Sequence, residues 1–143
     1  MALADLNPRS TLKFLANADL SDDAGKLLTI NVSDTTTAGV TVLEVAGGPT
    51  AIPVGIVVVG AASDSGSYPG YATSCEIYDT LIGCFDGAIA GSGGVTNGDA
   101  VECDASGTFV TASPSAGDFI VGFALTDAVA GEQFTIKFAV TKF

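Results

Sequence analysis

Between residues 133 and 141 the chain alternates without a break. Phe134, Ile136, Phe138 and Val140 are apolar, and Thr135, Lys137, Ala139 and Thr141 stand between them. A period of two puts the two sets on opposite faces of a strand, one for a core and one for solvent. Burying the apolar face contributes roughly 1.5–3 kcal/mol per side chain, so this strand is a wall of whatever core forms. Helical periodicity is nearly absent elsewhere. Val, Ile, Thr and Phe recur in short runs broken by Gly, Pro, Asn and Asp, the pattern of an all-β domain. Strands are expected over 27–32, 40–46, 54–59, 74–78, 81–85, 100–103, 109–112, 119–125 and 133–141. The expected fold is a compact, Gly-rich antiparallel β-barrel or sandwich with an extended N-terminal arm.

Turn chemistry punctuates these runs. Asn97-Gly98 and Ser106-Gly107 lie between strand candidates, where glycine permits the positive φ of a tight hairpin, and 101–110 reads as one hairpin. Pro69-Gly70 marks another turn within a long tyrosine-bearing segment, 63–74, expected to project from the surface. There is also an internal echo. Val40-Thr41-Val42 leads to Val54-Gly55-Ile56, and Thr108-Phe109-Val110 leads to Val121-Gly122-Phe123 at similar spacing. Two explanations stand: a duplicated hairpin unit within one barrel or sandwich, or the coincidence expected of a Gly-rich β-protein.

A chain of 143 residues is one domain's worth, and the expected division is an N-terminal arm, 1–20, followed by a single β-domain, 21–143. Hydrophobic residues make up 48% and charged ones 15%, well under the ~25% of an average domain, so this is a folding chain whose surface is dressed with Ser, Thr, Asn and Gly. Five basic side chains against 16 acidic ones leave a net charge of −11. From Leu27 to Ile136 there is no basic residue at all. Positive charge is confined to Arg9, Lys13 and Lys26 near the start and to Lys137 and Lys142 at the end. The arm also carries Leu6, Leu12, Phe14 and Leu15, which are costly to leave in water, so it is expected to pack on its own body or on a neighbour.

The same composition closes off whole classes of chemistry. An acidic body argues against a nucleic-acid partner, because phosphate binding needs clustered Lys and Arg. With no histidine, the usual general base near neutral pH and the commonest zinc ligand are both missing. Residues 45–63 are the longest uncharged stretch, but Gly and Pro interrupt them and the continuous apolar part is strand-length, so no membrane span is expected. No positively charged start precedes an apolar run, and synthesis in a cytoplasm is expected. Cys75, Cys84 and Cys103 are an odd number without a CxxC pair; they read as free, mostly buried thiols, with one disulfide plus a spare thiol as the other possibility.

Candidate sites are correspondingly thin. Asp22-Asp23, or Asp99 with Glu102, are the nearest to a carboxylate pair for hydrolysis, but adjacent acids of this kind are usually solvated turn residues. Asp64-Ser65-Gly66-Ser67 and Asp104-Ala105-Ser106-Gly107 place oxygens beside a turn glycine without the alternating ligand set of a calcium loop, and Asx-turns explain both. Gly91-Ser92-Gly93-Gly94 has no following Lys and no helix for a phosphate. Tyr68, Tyr71 and Tyr78 are candidates for a sugar-stacking platform, with ordinary packing favoured. No enzyme activity, cofactor or metal is expected.

Three segments carry a resemblance. They are Thr96-Asn97-Gly98-Asp99-Ala100-Val101, then Gly107-Thr108-Phe109-Val110-Thr111-Ala112, then Val121-Gly122-Phe123-Ala124-Leu125 followed by Ala130-Gly131-Glu132. Together they resemble the small capsid cement, or head decoration, proteins of tailed bacteriophages. Asp19-Leu20-Ser21, Ala24-Gly25-Lys26 and Pro53-Val54-Gly55-Ile56 extend the likeness over most of 19–138. The resemblance implies a non-enzymatic virion protein on the outer surface of an icosahedral shell, commonly a homotrimer at threefold-type positions. There it would bridge neighbouring major capsid protein subunits against the pressure of packaged DNA. It also implies an arm that reaches a neighbour or the shell, which assigns Leu6, Arg9, Leu12, Lys13, Phe14 and Leu15 as contact residues. The three cysteines and the 63–74 segment depart from the pattern. Removal of residues 1–18 is expected to leave a folded domain with weakened shell binding. The alternative function is a carbohydrate-binding or adhesive β-domain of a fibre or surface appendage.

Overall fold

The computed structural model of the chain describes residues 11–34, 41–63, 70–78 and 81–143, with side chains from Phe14 onward. Ten strands run through it: β1 (Thr11–Ala16), β2 (Leu27–Ile30), β3 (Val42–Val45), β4 (Gly55–Val59), β5 (Ala72–Tyr78), β6 (Cys84–Ile89), β7 (Ala100–Cys103), β8 (Phe109–Thr111), β9 (Phe119–Ala124) and β10 (Gln133–Lys142). No helix occurs among the described residues, so the all-β expectation holds. The first five strands close into a barrel in the order β1-β3-β2-β4-β5, and the last five form a sheet in the order β6-β10-β9-β7-β8.

The second sheet repeats the connectivity of the first. In the barrel, β2 lies between β3 and β4, β4 pairs β5, β5 pairs β1, and β1 runs parallel to β3. In the sheet, β7 lies between β8 and β9, β9 pairs β10, and β10 pairs β6. The counterpart of the parallel β1–β3 contact is a single parallel bridge, Ala90 to Phe109, beside which the Gly91 N–H donates to the Phe109 carbonyl at 2.7 Å. Registers match as well. Leu28 pairs Gly55 where Val101 pairs Gly122, and Ile30 pairs Leu43 where Cys103 pairs Phe109. The echo in the sequence is thus a structural repeat.

Two cores follow from the pleat. Leu28, Leu43, Val57, Cys75 and Ile77 belong to one buried cluster, drawn entirely from the barrel half. Leu27, Ile56 and Tyr78, one step out of phase with these on their strands, join the larger cluster with Phe85, Val101, Phe109, Val121, Phe134, Ile136 and Phe138 of the sheet. β4 is therefore buried on both faces, which is why 54–59 reads as an unbroken apolar run. Tyr78 ties the halves together: its ring lies 5.4 Å from Phe85 and 5.8 Å from Phe138, and its hydroxyl donates to the Ile82 carbonyl at 3.0 Å. Backbone bonds do the same, with Leu27 N donating to Gly107 O at 2.9 Å and Phe119 N to Pro49 O at 2.7 Å.

Two elements depart from the sequence reading. β1 was expected as part of an arm; residues 11–16 are instead a strand that closes the barrel. Its pairing with β5 shifts register between Phe14 and Ala16, and this bulge removes the alternation that would have marked a strand. β6 begins at Cys84 and runs to Ile89, not over 81–85, because Leu81 (φ 44°) and Gly83 (φ 70°) take left-handed conformations that turn the chain first. The 101–110 hairpin is β7–β8, paired Val101–Thr111 through Cys103–Phe109.

Candidate functional site

The residues assigned to shell contact are divided by the fold. Leu6 and Arg9 lie outside the described residues. Leu12 and Lys13 occupy β1, opposite Ile77 and Glu76 of β5. Phe14 packs against the inner barrel cluster, and Leu15 is 7% exposed, so both are committed to the protein's own interior. The hydrophobic cost that called for packing is met, for these two, within the chain.

The carboxylates hold turns. Asp104 accepts Ser106 N at 2.8 Å, Thr108 N at 3.1 Å and the Thr108 hydroxyl at 2.6 Å, which makes it the Asx-turn expected of this loop. Asp99 accepts Thr96 N at 3.0 Å and the Thr111 hydroxyl at 2.8 Å. Asp23 pairs with Lys26 at 2.6 Å. Glu102 is buried in β7, and one of its carboxylate oxygens meets no hydrogen-bond donor. The Asp64 loop lies outside the described residues. Among those described, no group of three or more Cys, Asp or Glu side chains is arranged to hold a metal ion.

The thiols are free: Cys75 and Cys103 are buried and Cys84 is exposed. Burial pushes the Cys75 thiol up, and it pushes Cys103 up to about 12, with the nearby Asp104 carboxylate adding to the effect. Neither is a nucleophile near neutral pH. The two described tyrosines do not form a platform with each other. Tyr78 is buried, the Tyr71 hydroxyl donates to Asp34 at 2.6 Å, and Tyr68 lies outside the described residues.

The surface is more distinctive than any buried constellation. A groove of about 430 Å³ lies over β2 and β3, floored by the cross-strand neighbours Thr29 and Glu44. Its walls are Ile30, Val32 and Ile52, the last two 86% and 65% exposed. On the outside of the second sheet a row of paired residues crosses four strands: Ala100, Phe123, Lys137 and Cys84. Phe123 is 43% exposed, and Leu125 two residues on is also open to solvent. Among the described residues the one ion pair is Asp23–Lys26. Lys137 shares its outer face with the exposed Asp86, which pairs with Thr135 across β6 and β10 and accepts its hydroxyl at 3.0 Å. No helix of the described residues is long and apolar enough to cross a membrane.

No protein family and no curated protein matches this chain. Its fold is similar to that of the head fiber gp8.5 N base of bacteriophage phi29 in a crystal structure. The superposition has a TM-score of 0.65 at 19% sequence identity and covers 94% of this chain and 98% of that one. At that identity the likeness is one of fold, and it spans both repeats.

Proposed function

We propose that the chain is a structural, non-enzymatic virion protein that binds the outer surface of an icosahedral phage shell and cements neighbouring major capsid protein subunits. The observation that carries this reading is the end-to-end likeness of fold to a phage head component. The acidic body is compatible with it, since a net charge of −11 repels packaged DNA and suits the outside of a shell. A protein that binds the assembled lattice and not its free subunits stabilises the lattice by mass action, and repeated weak contacts add up through avidity. The protein is a homotrimer, and Leu6 and Arg9 in the arm make the shell contact.

The reading predicts that shells treated with the purified protein resist heat or denaturant better than bare shells, saturably and with a fixed stoichiometry. Unchanged shell stability at saturating protein would refute it. The phi29 match is to a head fiber, which favours one second reading: an adhesive domain of a fibre. Saturable glycan binding by the isolated protein, lost in Tyr71→Ala, would support that reading instead.

A further inference from the structure

Glu102 is the one side chain among those described that keeps a buried polar atom without a hydrogen-bond partner. It lies in the middle of β7 and is 9% exposed. Val101 and Cys103 on either side of it belong to the larger core, so the pleat turns Glu102 to the outer face of the second sheet. Its cross-strand neighbours there are Val110 of β8 and Ile120 of β9, both half-buried, and neither side chain can donate.

The repeat shows what kind of place this is. Matching registers set the Glu102–Val110 pair where the barrel has Thr29–Glu44, the floor of its groove. In the barrel the β3–β4 connection walls that groove with Gly47, Gly48 and Ile52. In the second half the β8–β9 connection, 112–118, runs in its place. Each repeat thus puts one carboxylate in this pair, on opposite strands. Glu44 accepts from the Asn17 side-chain amide at 3.5 Å, whereas the sealed oxygen of Glu102 has no donor. The described cations do not supply one. Lys26 pairs with Asp23, the Lys142 ammonium stands 5.7 Å over the Phe119 ring, and Lys137 lies two strands away on the face it shares with Asp86. The neighbouring carboxylates of Asp99 and Asp104 are already held by turn donors and the Thr111 and Thr108 hydroxyls.

A buried carboxylate oxygen without a donor is costly, and its retention calls for a donor from outside the chain. We propose that Glu102 receives an arginine side chain of the protein this face docks against, the guanidinium entering between Val110 and Ile120 beside the 112–118 connection. A guanidinium is planar and weakly hydrated, forks onto a carboxylate, and tolerates apolar neighbours better than an ammonium does. The inference rests on the shell-protein reading for the identity of the partner, and it names the face and the residue type that meet. The site itself is testable without a shell.

The test has two arms, both on the full chain. In the first, methylguanidinium is titrated at constant ionic strength and followed by amide NMR shifts, with tetramethylammonium, a cation without donors, as control. Saturable shifts at Glu102, Val110 and Ile120 are expected with methylguanidinium alone, and their loss in Glu102→Gln. Shifts that tetramethylammonium reproduces, or no saturable shift before unfolding begins, overturn the proposal. Glu102→Met, which removes the unpaired charge, is expected to melt roughly 3–10 °C above wild type. A lower melting temperature makes Glu102 a structural residue and overturns the proposal; if that variant does not fold, the Glu102→Gln titration decides. In the second arm, Glu102→Gln weakens co-sedimentation with bare shells by about tenfold or more, the scale for losing one partner of a buried charge pair. Unchanged affinity overturns the contact. A methylguanidinium site on a chain that ignores shells upholds the site and overturns the virion reading.

Discussion

A methyl group at residue 122 has nowhere to go. A Cβ there would sit on the Lys137 carbonyl oxygen of β10, as one at Gly55 would meet the Tyr78 carbonyl of β5. These glycines occupy the same place in the two repeats, so the Val-Gly-apolar echo records a close approach of strand backbones made twice. Gly122→Ala is predicted to lower stability by ~1–3 kcal/mol in urea unfolding, the cost of forcing extra volume into a packed site. Gly47→Ala, which meets nothing within 4 Å, should change stability by less than ~0.5 kcal/mol. Cys103 makes a different prediction. Its pKa is raised from 9.0 to about 12 by burial, so above pH 9 the unfolded chain gives up this proton while the folded one keeps it. Stability from this group is therefore full below pH 9 and falls as pH rises toward 12, by ~1.4 kcal/mol per unit once well past 9. Cys103→Ala should show a shallower alkaline decline than wild type; an identical slope would contradict the assignment. Thiol reagents should label Cys84 quickly and the two buried thiols only on unfolding.

At the scale of elements, β1 changes what a truncation means. Removing residues 1–18 takes away the strand that joins β3 to β5 and opens the barrel onto Leu28, Val57 and Ile77. Loss of cooperative unfolding is predicted for that truncation, read by circular dichroism on heating. Removal of 1–10 keeps every described strand, so that shorter chain should melt cooperatively and lose affinity for shells. The two truncations also show where the sequence is legible. β7, β8 and β10 were readable nearly residue for residue, because alternation and turn glycines act locally. β1 was not, because its bulge breaks the period of two and its partners lie far along the chain. The start of β6 was misplaced because an apolar Leu81 in a left-handed turn looks like strand. The same limit holds for the surface. Leu15 reads as costly to expose from composition alone, yet which neighbour covers it is decided by closure of the barrel. The groove over Glu44 and the Phe123 row could not be read at all, since each gathers residues from separate strands.

At the scale of the whole molecule, the chain is one five-strand plan used twice, with the first copy's outer face buried under the second. The larger core spans both copies, so the halves are expected to unfold together. Two apolar patches interrupt its acidic surface, the groove of Ile30, Val32 and Ile52 and the strip of Phe123 and Leu125. The measurement that tests the shell-protein reading most directly is electron microscopy of phage shells stripped of surface proteins and mixed with the purified chain. The account predicts ordered density at repeated outer positions where capsid subunits meet, with three copies at each and the arm residues Leu6 and Arg9 against the shell. Bare shells under saturating protein would contradict it.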